Sequence, residues 1–129
     1  QYKKWKEFAI DAKKHAEKLS IFVKKEVSKS GKIIAYGASA RSSTLLNYCD
    51  LTSDHISVVI DKNPLKQGLL TAGSNIPIVS YQDGVGLVND VGVILLLAWN
   101  FKDEIIEDLI ASGYQGKFIL PLPGAPKII

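Results

Sequence analysis

The 129-residue chain has no methionine, one cysteine and two histidines, and each scarcity closes off a class of protein. Cys49 alone cannot form an internal disulfide, and no Cys/His group has metal-ligand spacing. No signal-peptide pattern is visible. No apolar run approaches the roughly 20 residues of a membrane span. The longest stretch, Val91 to Trp99 with Gly92 inside it, suits a buried strand instead. A reducing cytoplasm is the expected setting, with no membrane as partner. Nucleophile-elbow, HExxH, P-loop and paired-carboxylate motifs are missing, so no catalytic apparatus is visible. A natural chain begins with Met, so a start at Gln1 leads us to expect a piece of something longer.

What is present describes an ordinary folded domain. Hydrophobic residues make up 47% of the chain and charged residues 22%, enough apolar material for one real core. The net charge of +3 is unevenly spread. Residues 1 to 30 hold nine of the 16 Lys+Arg and four of the 13 Asp+Glu, a balance of +5, and the remaining seven against nine leave −2. The lysines alternate with Glu7, Asp11, Glu17 and Glu26 around an apolar stripe. That pattern reads as a solvated helix face, so nucleic acid is not expected as a partner.

The stripe itself is Trp5, Phe8, Ala9, Ala12, Ala16, Leu19, Phe22, Val23 and Val27, at steps of three and four, and it predicts one long amphipathic helix over 2–28. This helix can pack on the rest of the chain or bridge to another domain. Beyond it the sequence alternates. Strands are expected at Lys32 to Tyr36, Ile56 to Ile60, Ile76 to Val79, Val91 to Ala98 and Lys117 to Leu120. Helices are expected at Arg41 to Cys49, weakly at Tyr81 to Val88 where two glycines intervene, and at Phe101 to Ser112 with Asn100 as N-cap. Pro121, Pro123 and Pro126 close the chain. Strands alternating with helices predict an α/β, doubly wound parallel sheet of about five strands in the order 3-2-1-4-5.

Ligands of such sheets bind outside the carboxyl ends of the strands. The first strand ends in Gly37-Ala38-Ser39-Ala40, where small residues let a phosphate approach backbone N–H groups at a helix's positive end. Arg41 can add a bidentate contact, and Ser42, Ser43 and Thr44 hydroxyl donors. With one glycine this is not GxGxxG, and an equal reading is a plain turn with Ser39 as the cap. Asp61 ends the second strand 24 residues beyond Gly37, a spacing that suits ribose hydroxyls but equally a strand terminator. Lys66 and Gln67 follow in a polar loop opened by Asn63-Pro64, within reach of a phosphate or base. Trp99 and Asn100, after the fourth strand, lie across the switch point from the first. Trp99 can stack on a base or serve as core with Phe101; Asn100 can bond a ligand or cap a helix. His15 and His55 lack a catalytic partner at a recognisable spacing and are expected at the surface, and Cys49 as a buried, inert thiol.

The ordered blocks YGASARSSTLLNYC, VIDKNPLKQG, GSNIPI and LLLAWNFKDEI closely resemble the C-terminal domain of the C-methyltransferases that act on nucleotide-linked deoxysugars, over about residues 31 to 122. The resemblance implies a lead-in helix at 1–30 and a Rossmann-like, nucleotide-sugar-binding domain at 31–129. It implies a thymidine diphosphate sugar as ligand and a partner methyltransferase domain, elsewhere in the parent chain, that holds S-adenosylmethionine and the catalytic base. No cofactor and no catalytic residue is assigned to these 129 residues. Gly37, Ala38, Ser39 and Arg41 match the family's small-residue turn, with Arg41 where a lysine is common. Asp61, Asn63, Lys66, Gln67, Trp99 and Asn100 match as they stand. Ser43 replaces an asparagine, and Ala72 a proline before Gly73. Two other readings stand beside this one: a freestanding dinucleotide or coenzyme-A module, resting on Gly37 and Asp61, and a structural docking domain.

Overall fold

A computed structural model describes the backbone of residues 2–122 and 126–129, and within those ranges the side chains from residue 13 onward. The apolar stripe at Trp5, Phe8, Ala9 and Ala12, and Pro123, therefore lie outside the described side chains. The chain opens with α1, Tyr2–Ser30, about 43 Å long at the rise of an α-helix. Then follow β1 (Ile33–Tyr36), α2 (Ala40–Tyr48), β2 (Ile56–Ile60), β3 (Ile78–Val79), α3 (Tyr81–Val85), β4 (Val93–Leu96), α4 (Lys102–Ala111), β5 (Lys117–Leu120) and β6 (Lys127–Ile128).

The strands form one sheet in the order β3-β2-β1-β4-β5-β6. The first four pairings are parallel, as the alternation of strand and helix predicts, with Ile34 to Tyr36 of β1 facing Ile94 to Leu96 of β4. The sixth strand was not foreseen: Lys127 and Ile128 turn back antiparallel on Leu120 and Ile119. Two residues following a proline carry no strand signal; only the β5 edge makes them one.

Alternation along each strand sends side chains to two faces. Ile33, Ala35, Val93, Leu95 and Ile119 meet Ala16, Leu19 and Val23 of α1 and Leu46 of α2 in one core. Ile34, Tyr36, Ile94, Leu96 and Phe118 meet Ile105 and Leu109 of α4 in the other. Leu19 and Val23 are fully enclosed, each contributing about 1.5 to 3 kcal/mol of burial, so the second half of α1 is part of this core. β2 carries a bulge: Val59 is three positions on from Ile56, where their partners Ile33 and Ala35 are two positions apart. Ile56 and Val59 thus share one face although their spacing is odd.

The edge of the sheet differs in detail from the expected one. β3 covers Ile78–Val79 rather than Ile76 to Val79, because Ile76 pairs off with Thr71, and Pro77, whose carbonyl accepts from the Val59 N–H, bridges antiparallel to Leu70 and has no N–H to give the ladder. The expected helix over Tyr81 to Val88 ends at Val85 and gives way to a short 3-10 turn, Val88–Asp90. Its Gly84 has a packing reason, since a Cβ there would collide with the Ile60 side chain of β2. Asn100 does not cap α4. Trp99–Phe101 form a 3-10 turn of their own and α4 begins at Lys102, with no side-chain cap bond at Phe101.

Candidate functional site

The rim above β1 and β2 is held by hydrogen bonds between two loops. Gly37 leaves β1 with φ of +106° and donates its N–H to Ile60 of β2 at 2.8 Å. A Cβ on Gly37 would sit 2.7 Å from the Cβ and 2.8 Å from the backbone N of Ala98, just past β4. Close approach to a neighbouring strand, together with left-handed backbone, accounts for the glycine. Ala38 is then gripped on both of its polar backbone groups. Its N–H donates to Asp61 Oδ2 at 2.8 Å, and its carbonyl accepts from Lys66 Nζ at 2.6 Å.

Asp61 organises the second loop as well. Its Oδ1 accepts from the N–H of Asn63 at 2.8 Å, and its carbonyl accepts from Gln67 Nε2 at 3.0 Å. The side chain of Asn63 in turn accepts from the N–H of Leu65 at 3.0 Å. Both oxygens that the spacing offers to a ribose already hold backbone donors, although each retains a lone pair.

At the head of α2, Ser39 is the N-cap: its Oγ accepts from the N–H of Ser42 at 3.1 Å and pairs with the buried Ser42 Oγ at 3.0 Å. Thr44 donates its hydroxyl to the Ala40 carbonyl at 3.0 Å. Ser43 is half-buried in the first turns, and Arg41 is exposed with no ion pair among the described residues. Arg41 is thus the uncommitted cation at the positive end of α2.

Across the switch point, Trp99 is half-buried and packs on the core between the sheet and α4. Asn100 is exposed, and Phe101, a core candidate by type, is 56% exposed. The site residues therefore gather on one rim, though through different kinds of contact. Sequence reasoning missed Asn47, whose Nδ2 donates to the Ala72 carbonyl at 2.8 Å and ties the loop after β2 to the end of α2. Thr71 and Ser74, both buried, hydrogen bond to each other inside that loop. Nothing local marks such long-range partners.

The remaining reactive groups lie elsewhere. Burial pushes the Cys49 thiol up to about 11, so it stays protonated and unreactive as expected. The two histidines are half-buried rather than at the surface. His55 Nδ1 accepts from the N–H of Thr52 at 3.1 Å, and His15 Nε2 on α1 is enclosed without a partner among the described residues. No group of acidic, Cys or His side chains among the described residues could hold a metal ion. No helix among them is long and apolar enough to cross a membrane.

Comparison with known proteins bears on the family and the fold. A family model described as the C-methyltransferase C-terminal domain matches residues 1–123. The C-methyltransferase NovU of Streptomyces niveus is 35% identical over 128 residues, covering 97% of this chain and 29% of that protein. The chain therefore spans under a third of that relative's length. Among solved structures, a UDP-D-quinovosamine 4-dehydrogenase from Vibrio fischeri superposes with a TM-score of 0.54 at 22% identity, over 76% of this chain and 92% of the other, a likeness of Rossmann-like fold. With the family model covering nearly the whole chain, this protein belongs to the C-terminal domain family of the C-methyltransferases.

Proposed function

We propose that this domain holds a nucleotide-linked deoxysugar, thymidine diphosphate being the expected carrier, while another domain of the parent chain supplies S-adenosylmethionine and transfers its methyl group to a carbon of the sugar. The observation that carries this reading is the convergence of Gly37, Ala38, Asp61 and Lys66 on one braced rim, with Arg41 left uncommitted at the head of α2. A diphosphate placed there meets the positive end of α2, the Arg41 guanidinium and the remaining N–H donors of the Lys66 ammonium. Trp99 and Asn100 stand on the opposite side of the switch point, where a stacking surface and an amide suit a base or sugar. NovU, by its name a C-methyltransferase, supports the methyl-transfer part of this reading.

The rim does not fit S-adenosylmethionine. Its turn after β1 has one glycine rather than a glycine-rich loop. No step of methyl transfer is assigned to these residues; their part is to bind and orient. In a thermal-shift titration, dTDP or a dTDP-sugar is expected to raise the melting temperature while S-adenosylmethionine does not. Arg41→Ala should weaken the response by about 1 to 3 kcal/mol, the cost of losing a charged hydrogen-bond partner. Saturable binding of NAD without any response to nucleotide sugars would overturn the proposal.

A further inference from the structure

Lys62 stands where the chain leaves β2 for the loop that carries Asn63, Lys66 and Gln67. Alternation sends neighbouring side chains of a strand to opposite faces. Asp61 accordingly reaches the Ala38 N–H, while Lys62 crosses to the α3 and α4 face and pairs with Asp108 Oδ2 at 2.9 Å. Its ammonium also lies 4.9 Å from the centre of the Tyr81 ring of α3. Tyr81 is held in turn, its hydroxyl donating to the Asp108 carbonyl at 3.0 Å and its ring standing edge-on to Tyr36 of β1 at 6.5 Å.

The place of this pair matters more than its strength. The two side chains are 59% and 45% exposed, and an ion pair so open to water adds little to folding stability. Among the described residues, however, it is the one side-chain hydrogen bond between the loop after β2 and α4. That loop supplies Asp61 and Lys66 to the braced part of the rim, and α4 begins directly after the turn of Trp99, Asn100 and Phe101. The pair therefore ties together the two sides that a ligand across the switch point would span. With a carboxylate at hydrogen-bond distance the Lys62 charge is already compensated, unlike that of Arg41. A lysine held by Asp108 and Tyr81 also leaves less of the loop to be ordered when a ligand binds.

We infer that the Lys62–Asp108 pair is a strap across the rim, a positioning device that fixes the spacing between the loop after β2 and the turn before α4 and so presets the cleft for the nucleotide sugar. Neither residue touches the ligand. This rests on the nucleotide-sugar reading above and adds to it a determinant of affinity that lies outside the contacts.

Calorimetric titration with dTDP-glucose of the chain and its Lys62→Met, Asp108→Asn and doubly substituted variants tests the strap, with urea midpoints measured alongside. Each single variant should bind about three- to fivefold more weakly, the scale of one exposed ion pair, and the double variant no more weakly than either. Lys62→Arg, which can keep the pair, should stay within about twofold of the parent, and all urea midpoints close to it. Unchanged affinity in both single variants would overturn the strap with the nucleotide-sugar reading intact. A loss in Lys62→Met with Asp108→Asn unchanged or tighter would overturn it too, by making Lys62 a ligand contact that is freed when its partner goes. Losses that multiply in the double variant, or Lys62→Arg as weak as Lys62→Met, would defeat it likewise. A large fall in urea midpoint for every substitution would show a contact that holds the fold rather than the cleft, which also defeats the proposal. If the unmodified chain binds neither dTDP nor dTDP-glucose, the nucleotide-sugar reading itself fails and the strap falls with it.

Discussion

At the ends of β1 and β2 most polar groups singled out by the sequence are bonded back to the chain, whereas past β4 Asn100 and Phe101 are exposed and only Trp99 packs on the core. Ala38 has both backbone groups occupied, Asp61 both oxygens, and Asn63, Gln67 and Thr44 each one bond back to the chain. Asn100 and Phe101, in a 3-10 turn without a cap, make none of these ties. One side of the rim is a braced frame and the other an open surface. Binding free energy is best supplied by groups that exchange water for ligand, and shape by groups already satisfied. Under the proposed function, the braced side sets geometry and the ligand contacts fall to uncommitted groups such as Arg41 and Asn100.

The harshest break of that contrast is Gly37→Ala. A side chain at φ of +106°, with its Cβ placed 2.7 Å from Ala98, combines backbone strain with a clash against a neighbouring strand. The expected loss is about 2 to 4 kcal/mol of unfolding free energy in a urea titration. A loss below about 1 kcal/mol would mean that the turn is loose and the frame is not a frame.

Asp61→Ala comes next. It strips acceptors from the N–H groups of Ala38 and Asn63, of which the first is partly buried, at a cost of about 1 to 3 kcal/mol. If Asp61 acted only through a ligand, the variant would be as stable as the parent and would lose affinity alone. Stability and affinity falling together is the expected result, because the turn that faces the ligand is released.

The sheet order was legible because β1, β2 and β5 are short apolar runs bounded by Gly, Asp or Pro, with helical periodicity between them. What stayed hidden depends on partners distant in sequence. β6 exists only through its pairing with β5, and the bulge in β2 only through its register with β1. The site divided in the same way. Residue types and spacings pointed to the rim above β1 and β2, but a spacing of 24 from Gly37 describes a ribose acceptor and a loop brace equally well. Only the positions of the Ala38 and Asn63 N–H groups reveal what the Asp61 carboxylate already holds.

The finest test pairs one residue from each side. Lys66→Ala removes the bond to the Ala38 carbonyl, yet that carbonyl lies at a rim where water can replace the ammonium, so the expected loss is about 0.5 to 1.5 kcal/mol. Asn100→Ala touches no protein hydrogen bond among the described residues and should leave stability within about 0.5 kcal/mol of the parent. The two variants should differ in the opposite sense when the sugar nucleotide is titrated with salt. Lys66 acts partly as a charge, so its removal should flatten the salt dependence of binding, and Asn100, uncharged, should shift affinity without altering that slope. Identical salt slopes for the two variants would erase the distinction between a braced, cationic side and an open, neutral one.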